Sequence, residues 1–128
     1  MTLHIVRLGS PRLPGEGLRI GTVRRPPRGV PKAEFATRDF YDVWFPTLAP
    51  SAEAMAEGRE AATEAQWAAF ARRYRAEMKQ PEAEHALALL SALSHGTDLA
   101  VGCYCEDESR CHRSLLRELL RERGARLG

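Results

Sequence analysis

Apolar strand-like segments near both ends of the chain, amphipathic helical segments between them, and glycine and proline at the junctions predict a small α/β fold. The expected architecture is one domain over residues 1–128. It is a three-layer sandwich with a short, at least partly parallel sheet and helices on both faces. A chain of 128 residues can enclose one hydrophobic core. A composition of 44% apolar and 28% charged residues is that of a folded globular protein.

The elements follow in order. Leu3-His4-Ile5-Val6-Arg7-Leu8 alternates apolar and polar side chains and predicts a first strand. Gly9, Pro11, Pro14, Gly15 and Gly17 break it into a loop. Leu18-Arg19-Ile20-Gly21-Thr22-Val23 predicts a second strand, ended by Pro26 and Pro27, which cannot donate to a ladder. The aromatic-rich stretch from Lys32 to Pro50 predicts a loop with a short helix folded over the core. Ser51 can cap a helix over Ala52–Ala56, which Gly58 weakens. Thr63 and Gln66 form a capping box, and Trp67, Phe70, Ala71, Tyr74 and Met78 share one helical face. Pro81 suits the first turn of a third helix, with Leu87, Leu90 and Leu93 on its apolar side. Leu99 to Cys105 predicts a buried strand. Asp107 or Ser109 is placed to cap a last helix carrying Leu115, Leu116, Leu119 and Leu120.

No apolar run approaches the roughly 20 residues that a membrane span needs. The N-terminus shows no long apolar leader. The expectation is a cytoplasmic protein with no membrane partner. The net charge of +2 does not point to nucleic acid. The charge is unevenly spread, however. Residues 1–33 hold seven basic side chains against the single acid Glu16. Such a segment either lines an anion site or is balanced by the acidic helices downstream.

Chemistry concentrates in Cys103-Tyr104-Cys105 … Cys111-His112-Arg113. Three cysteines within nine residues cannot all pair in one chain. In open α/β sheets, ligands bind beyond the carboxyl ends of the strands, where Cys105 is expected. Cys111, His112 and Arg113 fall in the first turn of the last helix, whose free N–H groups favour anions and thiolates. Three readings follow. Cys105 or Cys111 is a reactive thiol, with His112 as proton carrier and Arg113 as anion holder. Alternatively, Cys103, Cys105, Cys111 and His112 bind zinc, although a C-x-C pair on a strand converges poorly. Or the thiols are packed as small apolar groups and the helix start binds an anion without covalent chemistry. The first reading requires neither metal nor cofactor. No Walker loop, Rossmann fingerprint, H-E-x-x-H or nucleophile elbow is present.

Four segments together resemble a known family. They are Arg24-Arg25-Pro26-Pro27-Arg28-Gly29-Val30, Ala49-Pro50-Ser51, Trp67 to Glu77, and the cysteine–histidine–arginine segment. In this order they resemble the bacterial domain-of-unknown-function 488 family, from about Leu3 to Leu120. The cysteine-rich end is similar to the branch carrying a Cys-His-Arg motif. It differs from the YeaO-like branch, whose aspartate and tryptophan are replaced here by Val23 and Pro26. The resemblance implies a small three-layer α/β fold and no settled reaction. It also adds Arg24 and Arg28, just past the second strand, as anion holders that converge with Cys105, His112 and Arg113 if the two strands are parallel neighbours. The competing expectation pairs Arg24 or Arg28 with Asp39 or Asp42. The functional expectation is a small enzyme-like domain for an anionic ligand, phosphorylated or nucleotide-like, with a nucleotide or a nucleic-acid end as one possible ligand. The alternative is a noncatalytic module for nucleic acid or protein.

Overall fold

The computed structural model describes all residues, 1–128. Four strands form one sheet: β1 (Leu3–Arg7), β2 (Leu18–Gly21), β3 (Val43–Trp44) and β4 (Leu99–Cys103). Their spatial order is β1-β4-β2-β3, and every neighbouring pair is parallel. Four helices complete the fold: α1 (Ala52–Glu60), α2 (Glu64–Glu77), α3 (Pro81–Leu93) and α4 (His112–Glu122).

The central strand β4 is buried along its whole length, as a parallel strand covered on both faces must be. Leu99 pairs with Leu3 and Leu18, and Gly102 pairs with Val6 and Gly21. Strand alternation then sorts the side chains. Leu3, Ile20, Leu99 and Val101 pack with Ala54, Phe70, Tyr74, Leu87 and Leu116, so all four helices join one core. Val6, Leu8, Ala100 and Tyr41 form a second cluster on the other face. That face is covered by the 3-10 turn Lys32–Glu34 and the aromatic residues Phe35, Phe40 and Tyr41, in place of a full α-helix. A β-carbon at Gly21 would collide with the Tyr41 ring, so the aromatic layer sits against bare backbone.

Several elements match local sequence logic. Thr63 Oγ1 accepts from the Gln66 N–H at 3.1 Å, and Gln66 Oε1 accepts from the Thr63 N–H at 3.1 Å. Ser51 Oγ accepts from the Ala54 N–H at 3.1 Å. Others differ. α1 continues through Gly58, where an added β-carbon would lie 3.1 Å from the Phe70 ring. The glycine lets α1 and α2 close on each other. β3 lies within the stretch expected to be a loop, because two exposed residues carry no periodic signal. Asp107 caps the 3-10 turn Glu108–Arg110, and α4 begins later, with Cys111 at its N-cap and no capping side chain. No helix is long and apolar enough to cross a membrane.

The basic N-terminal segment divides into two parts. Arg19 is fully buried. It donates to Glu16 through Nε (2.7 Å) and Nη2 (2.8 Å), and through Nη1 to the carbonyls of Ser10 and Asp39. Arg12 takes both Asp39 and Asp42, so neither acid pairs with Arg24 or Arg28. Burial alone would raise the Glu16 carboxyl, but its bonds to Arg19 outweigh that and hold it below its ordinary value. The stability this contributes is present above the unfolded carboxyl range and is lost as pH falls through the folded value. Removing one partner strands a buried charge. Glu16→Ala is therefore expected to cost about 3–5 kcal/mol in urea unfolding. A change within about 0.5 kcal/mol would show that the pair carries no stability.

Candidate functional site

The parallel pairing brings the ends of β2 and β4 to one level. Beyond β2, the Thr22 N–H and hydroxyl both donate to the Gly102 carbonyl, at 3.1 and 2.9 Å. Beyond β4, the Tyr104 hydroxyl donates to the Arg25 carbonyl at 2.8 Å. The two strand exits are thus tied together before each turns away. Cys105, expected at the end of the strand, stands two residues past it and is exposed.

Three chalcogen and nitrogen atoms meet below this edge. Sγ of Cys103, Sγ of Cys111 and a ring nitrogen of His112 all lie within 4.8 Å of one another, and all three residues are buried. His112 Nε2 lies 2.9 Å from the Thr22 carbonyl oxygen. A carbonyl only accepts, so Nε2 carries the hydrogen. Burial, the largest influence, holds the imidazole pKa below its ordinary value, so the ring is neutral near pH 7. Nδ1 is then a lone pair, and it faces Cys111 Sγ at 3.8 Å. The His112 ring also packs against Tyr74, with centroids 5.6 Å apart.

The thiols are unequal. The neighbouring Cys103 and Cys111 thiols hold Cys105 well below the usual thiol range, and the nearby Arg113 guanidinium adds to this. Cys103 is pushed up by Cys105, by Cys111 and by burial. For Cys111, the influence of Cys103 is downward, yet Cys105 and burial together push it up. The exposed thiol is thus the acidic one and the two buried thiols keep their hydrogens. All three cysteines are free.

Above the cluster opens a cavity of about 480 Å³. Arg24, Cys105, Cys111 and His112 line it. Arg28 and Arg113 do not. Arg28 is exposed, away from the lining. Arg113 is buried and donates from Nη2 to the Cys105 carbonyl at 2.5 Å, bracing the turn from below. Arg24 donates from Nε to the Pro50 carbonyl at 2.8 Å. Sequence reasoning missed other walls. Arg25 and Arg59 join the rim, while Met55, Trp67 and Phe70 form an apolar side. Trp67 belongs by periodicity to the core face of α2, but it sits near the helix start and is only half-buried. The Arg110 guanidinium lies over its ring, 5.7 Å from the centroid.

These features define a parallel α/β domain with a thiol–imidazole cluster at the carboxyl ends of its strands. The chain belongs to the DUF488-N3a family, described as the active DUF488-N3 subclade, whose family model matches residues 3–124. No curated protein and no solved structure matches it.

Cys103, Cys111 and His112 are ligand types that suit zinc. A tetrahedral zinc with sulfur ligands at about 2.3 Å holds its donors about 3.8 Å apart, and these three lie within 4.8 Å of one another. The Cys111 thiol already has the His112 imidazole as a partner. Dialysis against a strong chelator is expected to leave the thermal unfolding midpoint unchanged. A lowered midpoint, restored by added zinc, would show that a metal holds the cluster together.

Proposed function

We propose that this chain is a small thiol-dependent enzyme that acts on an anionic substrate, with Cys105 as the nucleophile. One observation carries the reading. The exposed Cys105 sulfur is the thiol whose ionised form the surroundings favour, and it borders a cavity rimmed by arginines. A thiolate is the form of cysteine that attacks an electrophile.

The roles follow from the geometry. The neighbouring Cys103 and Cys111 thiols favour the ionised form of the Cys105 sulfur. His112 Nδ1 is the lone pair that receives the Cys111 hydrogen, which makes the imidazole the proton store of the cluster. Thr22 and Tyr74 fix the ring, so this lone pair keeps its direction. Arg24, Arg25 and Arg110 hold the anionic part of the substrate. Arg113 positions Cys105 through its carbonyl and lends positive charge to the sulfur. The solvent-facing Arg28 extends the positive field outside the cavity and attracts the substrate. The naming of the subclade as active agrees with an enzyme.

The test is thiol alkylation followed by peptide mapping. Cys105 is expected to react with iodoacetamide at about pH 6 nearly as fast as at about pH 8, well below the ordinary thiol range. Phosphate or sulfate should slow the reaction, and Arg24→Ala with Arg110→Ala should abolish that protection. Equal, slow labelling of all three cysteines at the lower pH would overturn the reading and leave a noncatalytic binding module.

A further inference from the structure

We infer that the substrate of this cavity is a nucleotide: a phosphate joined through a short spacer to a flat aromatic ring. The inference rests on the anionic-substrate reading above and adds the chemical class of the rest of the molecule.

The cavity lining combines two unlike chemistries. One is cationic: Arg24, Arg25, Arg59 and Arg110 line it, and no acidic side chain does. Eight other arginines in the chain form ion pairs with carboxylates. These four form none. Two of them are nevertheless held in place, Arg24 by the Pro50 carbonyl and Arg110 by the face of Trp67. A guanidinium anchored at one edge or face keeps its remaining N–H groups for a ligand, and bidentate phosphate contact is what that fork suits. Four cations without an ion pair around one hollow repel each other until an anion arrives.

The other is apolar: Met55, Trp67, Phe70 and Pro50. Trp67 and Phe70 pack at 4.8 Å between centroids with 35° between planes, so the half-buried Trp67 ring is backed by the buried Phe70. Bare phosphate has no use for such a surface, and it fills a small part of a cavity of about 480 Å³. Sites of this size take organic molecules whose surface is mostly buried. A sugar phosphate lacks the ring, and a free base lacks the charge. Nucleic-acid bases pair well with aromatic and guanidinium planes, and their phosphates with arginine. The cavity and the Cys105 sulfur are continuous, so a nucleotide bound here lies beside the nucleophile. Two sources share this chemistry, a free mononucleotide and the terminal nucleotide of a nucleic acid.

Calorimetric titration of the full chain tests the inference, with AMP, adenosine, ribose phosphate and inorganic phosphate as probes. AMP is expected to bind at least about tenfold more tightly than either ribose phosphate or inorganic phosphate. Arg59→Ala and Arg110→Ala should each weaken AMP by about tenfold and leave adenosine unaffected. Trp67→Phe should retain AMP binding. A short single-stranded oligonucleotide with a terminal phosphate distinguishes the sources: tighter binding than AMP assigns a nucleic-acid end, and weaker binding assigns a free nucleotide. Absence of saturable binding by both AMP and the oligonucleotide overturns the inference, as does equal affinity for AMP and ribose phosphate. Cys105 alkylation in the same samples separates the two claims. Fast labelling that AMP does not slow sinks the nucleotide and keeps the thiolate. Slow labelling with tight AMP binding does the reverse.

Discussion

Thr22 ties three elements into one site. Its N–H and hydroxyl both close onto the Gly102 carbonyl, and its own carbonyl receives Nε2–H of His112. One residue thus joins the exit of β2, the last turns of β4 and the start of α4. The arrangement needs β2 and β4 to be parallel neighbours, because only then do both exits lie at the same edge. It also needs a bare backbone at Gly102, where any side chain would strike the Val6 carbonyl of β1. The site is therefore a product of strand order. The cysteines are eighty residues or so from Arg24 in the chain, and only the crossover connection brings them together.

Two groups of charge, one buried and one at the cavity rim, are handled in opposite ways. Around Arg19, every guanidinium nitrogen has an acceptor, and Glu16 is satisfied in turn, so the loop before β2 is locked. At the cavity, no acid joins the cations in the lining, and one exposed sulfur stands beside two buried thiols. The first arrangement resolves its charges within the protein. The second leaves positive charge and a nucleophile facing outward, which costs stability unless a ligand completes it. Burying the imidazole as a neutral ring belongs to the same logic. A charged His112 beside Arg113 would add to the repulsion, whereas the neutral ring offers one lone pair in a fixed direction.

Much of this was legible from local chemistry. The capping box at Thr63 and Gln66, the proline opening α3 and the apolar run of β4 each follow from short-range rules, and the elements they predict are present. The grouping of Cys105, Cys111, His112 and Arg24 at one edge followed from the strand-end rule together with the family resemblance. What was not legible depends on contacts distant in sequence. β3 is two exposed residues whose strand character comes from pairing with β2. α1 survives Gly58 because Phe70 fills the space a side chain would need. Asp39 and Asp42 pair with Arg12, a choice made by the folding of the β1–β2 loop. Arg59 and Met55 reach the cavity from α1, and nothing in their spacing marks them. Arg113, placed by sequence at the anion, is in the first turn of α4 as expected, but its guanidinium binds the Cys105 carbonyl and does not line the cavity.

The central claim is an uneven division of protons among three neighbouring sulfurs. Cysteine Cβ NMR shifts report this directly, because thiol and thiolate forms are distinct. Titration of protein labelled at its cysteines, from about pH 5 to about pH 8, should show the Cys105 signal in the thiolate position throughout and the Cys103 and Cys111 signals in the thiol position. Three signals moving together near the ordinary cysteine pKa of about 8.5 would mean that the sulfurs are equivalent and that the cluster does not prepare a nucleophile.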